Sequence, residues 1–179
     1  MDETIPELVR RAQRGDAAAF SRLIRRYERT ALAVAYSQTG DGDLAGEAVQ
    51  EAFLRAWQRI RSLKDPACFG PWLVQIVQRC AVDQRRQMER RRDADVPAEV
   101  AEQAADPVAE LRQRELRERI SAALAELDET SRTAVALRYY EGLSSREIGQ
   151  LLELSPAAID MRLSRARQQL REILEAERA

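Results

Sequence analysis

Two short helical patterns near the carboxyl end constrain the fold of this chain more than any other feature. Ser144 and Glu147 stand three residues apart, the spacing of a capping box that begins a helix. After a short turn, Ser155 and Pro156 supply the cap and the first residue of a second helix. Residues 143–170 therefore predict a helix-turn-helix that reads the major groove. Two surface helices of an ordinary bundle would give the same local pattern.

The second of these helices has an apolar side and a basic side. Its apolar stripe has helical spacing and consists of Ile159, Leu163, Ala166 and Leu170. Most of the basic residues fall outside that stripe, namely Arg162, Arg165 and Arg167. A longer helix with arginines on its free side is the form expected of a recognition helix.

Charge divides the chain into three parts. The whole chain of 179 residues has a net charge of −1. Residues 1–92 carry 17 bases and 12 acids, residues 93–107 carry five acids and no base, and residues 108–179 carry 12 bases and 13 acids. Together with the helical periodicity, this distribution predicts an all-α fold with two small helical domains joined by a flexible acidic linker.

Composition excludes several classes of function. The chain has no histidine, and its two cysteines, Cys68 and Cys80, are too far apart for a metal knuckle. There is no glycine-rich phosphate loop and no nucleophile elbow. We therefore predict no catalytic residues, no metal and no cofactor. No apolar run has the length that membrane insertion needs, and both thiols are expected to be reduced in the cytoplasm.

Periodicity and turn residues predict the helices of the first and last parts. In the first part, Asp43 is the expected cap of a helix at 44–60, and Thr39 to Gly42 form the turn before it. In the last part, Thr130 or Ser131 is the expected cap of a helix that ends at Tyr140. The other predicted helices are 5–14, 17–37, one that begins between 65 and 71 and ends near 92, and one that ends near 127.

One helix of the first part has an acidic-polar side opposite its apolar side. The residues on that side are Glu47, Gln50, Glu51 and Leu54. An acidic side in an otherwise basic block favours a basic protein partner. The alternative is a solvent-exposed side paired with Arg55 and Arg59.

The next helix combines an aromatic residue with amides and arginines. Trp72 begins an apolar side, and the opposite side carries Gln75, Gln78, Arg79, Asp83, Arg85 and Arg86. An aromatic ring followed by amides and arginines along one helix can stack and hold single-stranded DNA. The alternative is that Trp72 belongs only to the core.

Three stretches together resemble the extracytoplasmic-function sigma factors of bacterial RNA polymerase. They are EAVQEAFLRAWQRI at 47–60, PACFGPWLVQIVQRCAVDQRR at 66–86 and LRYYEGLSSREIGQLLELSPAAIDMRLSRARQQLREIL at 137–174. The resemblance covers almost the whole chain. It implies a sigma region 2 bundle at 1–92, a linker at 93–107 and a region 4 helix-turn-helix at 108–179.

The resemblance also implies partners and site residues. The first domain would bind a coiled coil of the largest subunit of core RNA polymerase through Glu47, Gln50, Glu51 and Leu54. It would bind the −10 element as single strand through Lys64, Trp72, Gln75, Arg79, Asp83 and Arg86. The last domain would lie at the flap region and read the −35 element through Arg138, Ser145, Arg146, Ser155, Met161, Arg162, Ser164 and Arg165. The family commonly adds an anti-sigma factor.

Two stretches depart from the family pattern. The family usually has Arg-Asn where this chain has Gln78-Arg79, which implies different −10 contacts. It often has a basic residue where this chain has Asp160. A carboxylate there would repel phosphate, or it would accept a hydrogen bond from a cytosine amino group.

Two other classes of function compete with the sigma factor. A stand-alone helix-turn-helix regulator would dimerise to read paired half-sites, but it leaves the first domain without a role. An enzyme would need a site that the sequence lacks, because Glu47 and Glu51 share a helix side without histidine ligands. For the sigma factor, two domains on a flexible linker would also allow a compact arrangement that cannot bind promoter DNA.

Overall fold

The computed structural model describes residues 3–94, 115 and 119–176, and in these ranges the regular structure is entirely helical. The helices are α1 (Ile5–Gln13), α2 (Ala17–Thr39), α3 (Gly42–Arg59), α4 (Phe69–Ala94), α5 (residues 119–125), α6 (Glu129–Tyr140), α7 (Ser145–Leu152) and α8 (Pro156–Ala176). The all-α prediction is confirmed. The predicted linker lies outside the described residues from position 95 onward.

Helices α1 to α4 form a bundle around α2. Helix α2 packs against α1, α3 and α4, and α3 also packs along α4. Their apolar sides form the core, which includes Leu23, Val34, Phe53, Leu73 and Val77. The predicted loop between α3 and α4 is two short 3₁₀ turns, Ile60–Ser62 and Pro66–Cys68. The side-chain amide of Gln13 holds this connection by donating to the carbonyl oxygens of Ile60 and Leu63 at 3.0 and 2.8 Å.

The cap of α3 differs from the prediction. Asp41 caps the helix, since its carboxylate accepts hydrogen bonds from the backbone N–H groups of Asp43 and Leu44 at 2.9 and 3.0 Å. Gly40 has a left-handed backbone (φ 66°) that ends α2, and extended Asp41 follows it directly. The prediction of Asp43 was therefore wrong by two residues. Asp43 lies in the first turn, where its negative charge still favours the helix dipole.

The second unit consists of α5 to α8. Asp128 caps α6 by accepting from the N–H of Ser131 at 3.0 Å, so the predicted caps Thr130 and Ser131 were wrong. Asp128 precedes both residues by two or three positions, and its carboxylate reaches the free N–H groups of the first turn, so Asp128 is the N-cap. The predicted capping box of Ser144 and Glu147 at α7 is confirmed.

The turn between α7 and α8 follows the helix-turn-helix pattern. Ser155 caps α8, because its hydroxyl accepts from the N–H of Ala158 at 3.2 Å. A Cβ at Gly149 would lie 2.5 Å from the carbonyl oxygen of Leu154, so only glycine allows this close approach. The predicted apolar stripe of α8 is buried at Ile159, Leu163 and Ala166 and partly buried at Leu170, which confirms that side of the helix.

The two units pack against each other mainly through α2 and α6. Thr133 of α6 lies between two polar residues of α2. Its Oγ1 accepts from the Gln38 amide at 3.1 Å and lies 3.3 Å from the hydroxyl of Ser37. All three residues are buried. Beside them, the rings of Tyr36 and Tyr140 meet edge to face at 5.5 Å.

A second contact joins α4 to α7. The Cδ2 atom of Leu151 lies 3.1 Å from the position of a Cβ built on Gly70, next to the Tyr27 hydroxyl. Farther along α4, the Gln75 amide donates to the Glu153 carboxylate at 3.3 Å. The helix-turn-helix therefore lies against the first half of α4.

The cluster between α2 and α6 makes a testable contribution to stability. Thr133→Val keeps the shape of the side chain but removes the hydroxyl that Gln38 and Ser37 contact. We expect the free energy of unfolding in urea to fall by about 0.5–1.5 kcal/mol, the usual net value of one hydrogen bond, because the Gln38 amide loses Thr133 but keeps the Ser37 hydroxyl as an acceptor. Thr130→Val on the same helix is the matched control, because that position lies outside the cluster. Equal effects of the two changes would contradict this assignment.

Candidate protein and nucleic-acid interfaces

The acidic side of α3 is available to a partner. Glu47, Gln50 and Leu54 are exposed, and Leu54 retains 59% of its accessible surface. Glu51 is half-buried, and its carboxylate accepts from Nε of Arg55 at 2.7 Å. An exposed leucine bordered by carboxylates suits a partner that combines apolar and basic groups.

Arg55 connects this acidic side to α4. The hydrogen bond to Glu51 raises the pKa of Arg55. Its Nη1 also lies 3.5 Å from the carboxylate of Asp83 on α4. Glu51 is therefore engaged within the bundle, and Glu47 presents the more accessible negative charge.

One side of α4 carries the candidate residues for single-stranded DNA. They are exposed at spacings of four, four and three residues: Gln75, Arg79, Asp83 and Arg86. Trp72 is half-buried, and its ring centroid lies 5.9 Å from that of Phe69. The ring therefore packs against the core and keeps one part accessible. Lys64 is exposed between the two 3₁₀ turns.

The exposed side of α4 faces the second unit. Its residues form a shallow groove with Glu129 of α6, and the α4 residues that line it are Gln75, Gln78, Arg79, Val82, Asp83 and Arg86. A carboxylate across from two arginines opposes the approach of a phosphate at that end of the groove.

The candidate residues of the helix-turn-helix fall into two groups. One group is exposed and consists of Arg146, Ser155, Met161, Ser164 and Arg165. The members of the other group are partly buried and contact other side chains: Arg138, Ser145 and Arg162. Ser155 also serves as the cap of α8.

Arg162 contacts the cap of α6. Its Nη1 donates to Asp128 Oδ1 at 3.2 Å, and Asp128 also accepts from the hydroxyl of Ser131 at 2.6 Å. Burial by itself would raise the pKa of Asp128, but the hydrogen bonds from Ser131 outweigh it and hold that pKa below its ordinary value. Arg162 therefore joins α8 to α6 in this structure.

Arg138 and Ser145 meet a residue that was outside the predicted set. Nη2 of Arg138 donates to Oγ of Ser145, and that hydroxyl donates to Oδ1 of Asp160. The three residues belong to α6, α7 and α8. That residue is Asp160. Its departure from the family pattern was the sequence feature that could have identified it as a site residue.

The described residues lack some other kinds of site. No group of three or more histidine, cysteine, aspartate or glutamate side chains in residues 3–94 and 119–176 could hold a metal ion. Cys68 is exposed and Cys80 is buried, and both are free thiols. Among the helices that the structure describes, none is long and apolar enough to span a membrane.

Fold and surfaces together define a class of protein. A helical bundle with one acidic side and one polar side, followed by a helix-turn-helix, is the form of a transcription initiation factor. The family model for Sigma-70 region 2 matches residues 23–92, and the model for Sigma-70 region 4 matches residues 117–170.

Curated relatives agree with the family models. The RNA polymerase sigma-H factor of Pseudomonas aeruginosa is 31% identical over 94% of this chain and 93% of its own length. The ECF RNA polymerase sigma-E factor of Escherichia coli is 30% identical over 90% of this chain and 89% of its own. The probable RNA polymerase sigma factor RfaY of Xanthomonas campestris is 39% identical, but the chain spans only 41% of its length. This chain belongs to the extracytoplasmic-function group of the sigma-70 family.

Two solved structures share the fold. The structure of CnrH in complex with the cytosolic domain of CnrY has a TM-score of 0.66 and 24% identity over 97% of this chain and 99% of the other. The sigma factor RpoE in complex with the anti-sigma factor NepR, from Bartonella quintana, has a TM-score of 0.55 and 24% identity over 87% and 96%. Their likeness extends across both helical units.

The lowered pKa of Asp128 predicts how stability depends on pH. A carboxyl group with a folded pKa below its unfolded value stabilises the protein above the unfolded pKa, and this contribution is lost as the pH falls. Asp128→Asn keeps a capping side chain but removes the titration. We expect the difference in unfolding free energy between the wild type and the variant to shrink as the pH falls from about 6 to about 3, a range that includes the ordinary carboxyl pKa. Urea titrations at several pH values measure it, and a constant difference would contradict the expectation.

Proposed function

We propose that this chain binds core RNA polymerase through its first domain and reads the −10 and −35 promoter elements through its two domains. One observation carries the proposal. The same bundle has two separate exposed surfaces, an acidic one on α3 and a polar one on α4. The proposed domains are 1–92 and 108–179, with a linker at 93–107. The chain would act in the cytoplasm as a binding factor and not as an enzyme.

The acidic side of α3 is the proposed contact with the polymerase. Glu47 would meet basic groups of a coiled coil in the largest subunit, and exposed Leu54 would add an apolar contact at the same place. Because Glu51 supports Arg55 inside the bundle, its direct share in the contact is smaller than that of Glu47.

Promoter recognition would use both domains. The exposed side of α4, together with Lys64 and the accessible part of Trp72, would bind the −10 strand by stacking and by polar contacts. In α8, Met161, Ser164 and Arg165 would face base edges or phosphates in the major groove of the −35 element. Arg146 would contact the DNA backbone at the start of α7.

We infer that the two domains separate when the promoter is bound. The names of the two elements place them about 25 base pairs apart, which is about 85 Å of duplex at 3.4 Å per step. In the packed structure, Gln75 of the proposed −10 surface lies 3.3 Å from Glu153 in the turn of the helix-turn-helix. A −10 surface that is packed against the helix-turn-helix cannot reach its element while the helix-turn-helix reads another one about 85 Å away.

An anti-sigma factor is the proposed regulator. Both structures of similar fold are complexes with a second protein, and for one of them that protein is named as an anti-sigma factor. A partner that binds only the packed arrangement would favour it by its differential affinity and would keep the two DNA surfaces together.

Glu47→Arg tests the contact with the polymerase. We expect it to abolish stable association with purified bacterial core RNA polymerase in a pull-down and to abolish factor-dependent run-off transcription, because it puts a positive charge against a basic partner. Glu28→Arg is the matched control, since it makes the same charge change at an exposed position of α2. Glu47→Arg combined with Glu51→Arg should give no further loss.

The same assay decides between the sigma factor and the stand-alone regulator. Wild-type protein that ignores core polymerase but binds a duplex as a dimer would support the regulator. The first domain would then need another explanation.

Separation of the domains can be measured by energy transfer. A donor on the native exposed Cys68 and an acceptor on Arg171→Cys in α8 report the distance between the units, while Cys80 stays buried. We expect the efficiency to fall when core polymerase and promoter are added. A pair on Cys68 and Glu28→Cys, both in the first domain, should not change. Unchanged efficiency in a transcribing complex would contradict the separation.

A further inference from the structure

Asp160 is held in place by a hydrogen-bond chain that crosses the helix-turn-helix. Ser145 in the first turn of α7 donates to its Oδ1, and Arg138 of α6 donates to the same serine oxygen. A hydroxyl has one proton to donate and two lone pairs to accept with. The proton of Ser145 points toward Asp160, and its oxygen accepts from the guanidinium of Arg138.

The carboxylate lies on the exposed side of the proposed recognition helix. Asp160 is exposed together with Met161, Ser164 and Arg165, whereas neighbouring Ile159 is buried. Among the described residues, the hydrogen bonds to Asp160 go to Oδ1. A carboxylate can accept about four hydrogen bonds, so Oδ2 of this exposed side chain has free acceptor capacity.

A negative charge at this position is selective in what it can bind. It repels phosphate oxygens, and major-groove acceptors such as guanine O6 and N7 offer it no proton. The major-groove donors are the amino groups of cytosine and adenine, and aspartate is suited to cytosine N4. The first residues of a recognition helix are also the ones that reach base edges, and Asp160 is the fifth residue of α8.

We propose that Asp160 is a specificity-determining residue of the −35 reader, with its carboxylate accepting a hydrogen bond from the amino group of a cytosine. Ser145 is a positioning residue that fixes the orientation of this carboxylate. Arg138 places a positive charge beside the pair, which reduces the repulsion between Asp160 and the DNA backbone. This inference rests on the proposed function, because it assumes that α8 reads the −35 element.

Selection from a promoter library tests the role of Asp160. Core polymerase loaded with the full chain selects from duplexes that are randomised through the −35 region, and the enriched sequences are counted. We expect wild type to enrich cytosine at one position, by about fivefold or more, the usual cost of one mismatched pair. Asp160→Ala should flatten the preference at that position alone. Asp160→Asn should shift it toward adenine, because an amide pairs with adenine N6 and N7.

Two further variants separate this role from a structural one. Glu153→Gln removes a negative charge from the turn between α7 and α8, where the carboxylate contacts Gln75, and it should leave the selected motif unchanged. Ser145→Ala should relax the preference for cytosine, whereas Ser145→Thr, which keeps the hydroxyl, should restore it. If the role of Ser145 were only structural, Ser145→Ala would lower the total amount of DNA bound but would leave the base preference at each position unchanged.

The possible outcomes distinguish a failure of the role of Asp160 from a failure of the proposed −35 recognition. A −35 motif that is enriched and identical for wild type, Asp160→Ala and Asp160→Asn would overturn the role of Asp160 and leave −35 recognition intact. The absence of any enriched −35 motif with wild type would overturn the proposed −35 recognition itself.

Discussion

The buried hydrogen bonds among Ser37, Gln38 and Thr133 are the contact on which the arrangement of the two units depends. They lie where α2, the central helix of the first bundle, also packs against α6. An interface fixed by polar groups differs physically from one fixed by apolar groups alone. When the units separate, the hydroxyls and the amide regain hydrogen bonds to water, so the net cost per bond is only about 0.5–1.5 kcal/mol. The contact can therefore specify one packed geometry and still allow the units to part.

A like-charged pair opposes the same packing. Arg85 of α4 and Arg132 of α6 line one cavity between the units. Nε of Arg132 is buried without a hydrogen bond among the described residues, whereas Nε of Arg85 lies 3.4 Å from the carboxylate of Glu89. Burial lowers the pKa of Arg132, and the positive charge of Arg85 lowers it further. Separation of the units would return the guanidinium group of Arg132 to water, move it away from Arg85 and relieve this penalty. The packed arrangement is thus a balance of opposed terms, which a partner or DNA can shift.

Sequence patterns predicted the helices better than they predicted what joins them. The apolar stripe of α8 and the capping box at Ser144 were found because both depend on residues close in sequence. The caps of α3 and α6 were missed by two or three residues, since several neighbouring polar side chains can reach the same N–H groups. The contact of Thr133 with α2 was not predicted, because a buried threonine and a solvent-facing threonine look alike in a helical pattern. The predicted site residues remain predictions, although the structure places most of them on exposed sides.

The partners of the arginines explain how a chain of net charge −1 can serve as a reader of DNA. Arg162 is paired with Asp128, and Arg138 is joined through Ser145 to Asp160, so part of the positive charge of the second unit is neutralised internally. Affinity for duplex DNA depends mainly on phosphate neutralisation, and a reader with little free charge binds weakly when it acts alone. Attachment to the polymerase changes this, because a tethered domain meets its element at a high effective concentration. The helix-turn-helix can then contribute more to discrimination between bases than to binding energy. Under that condition, a carboxylate on the recognition helix improves specificity at little cost in affinity.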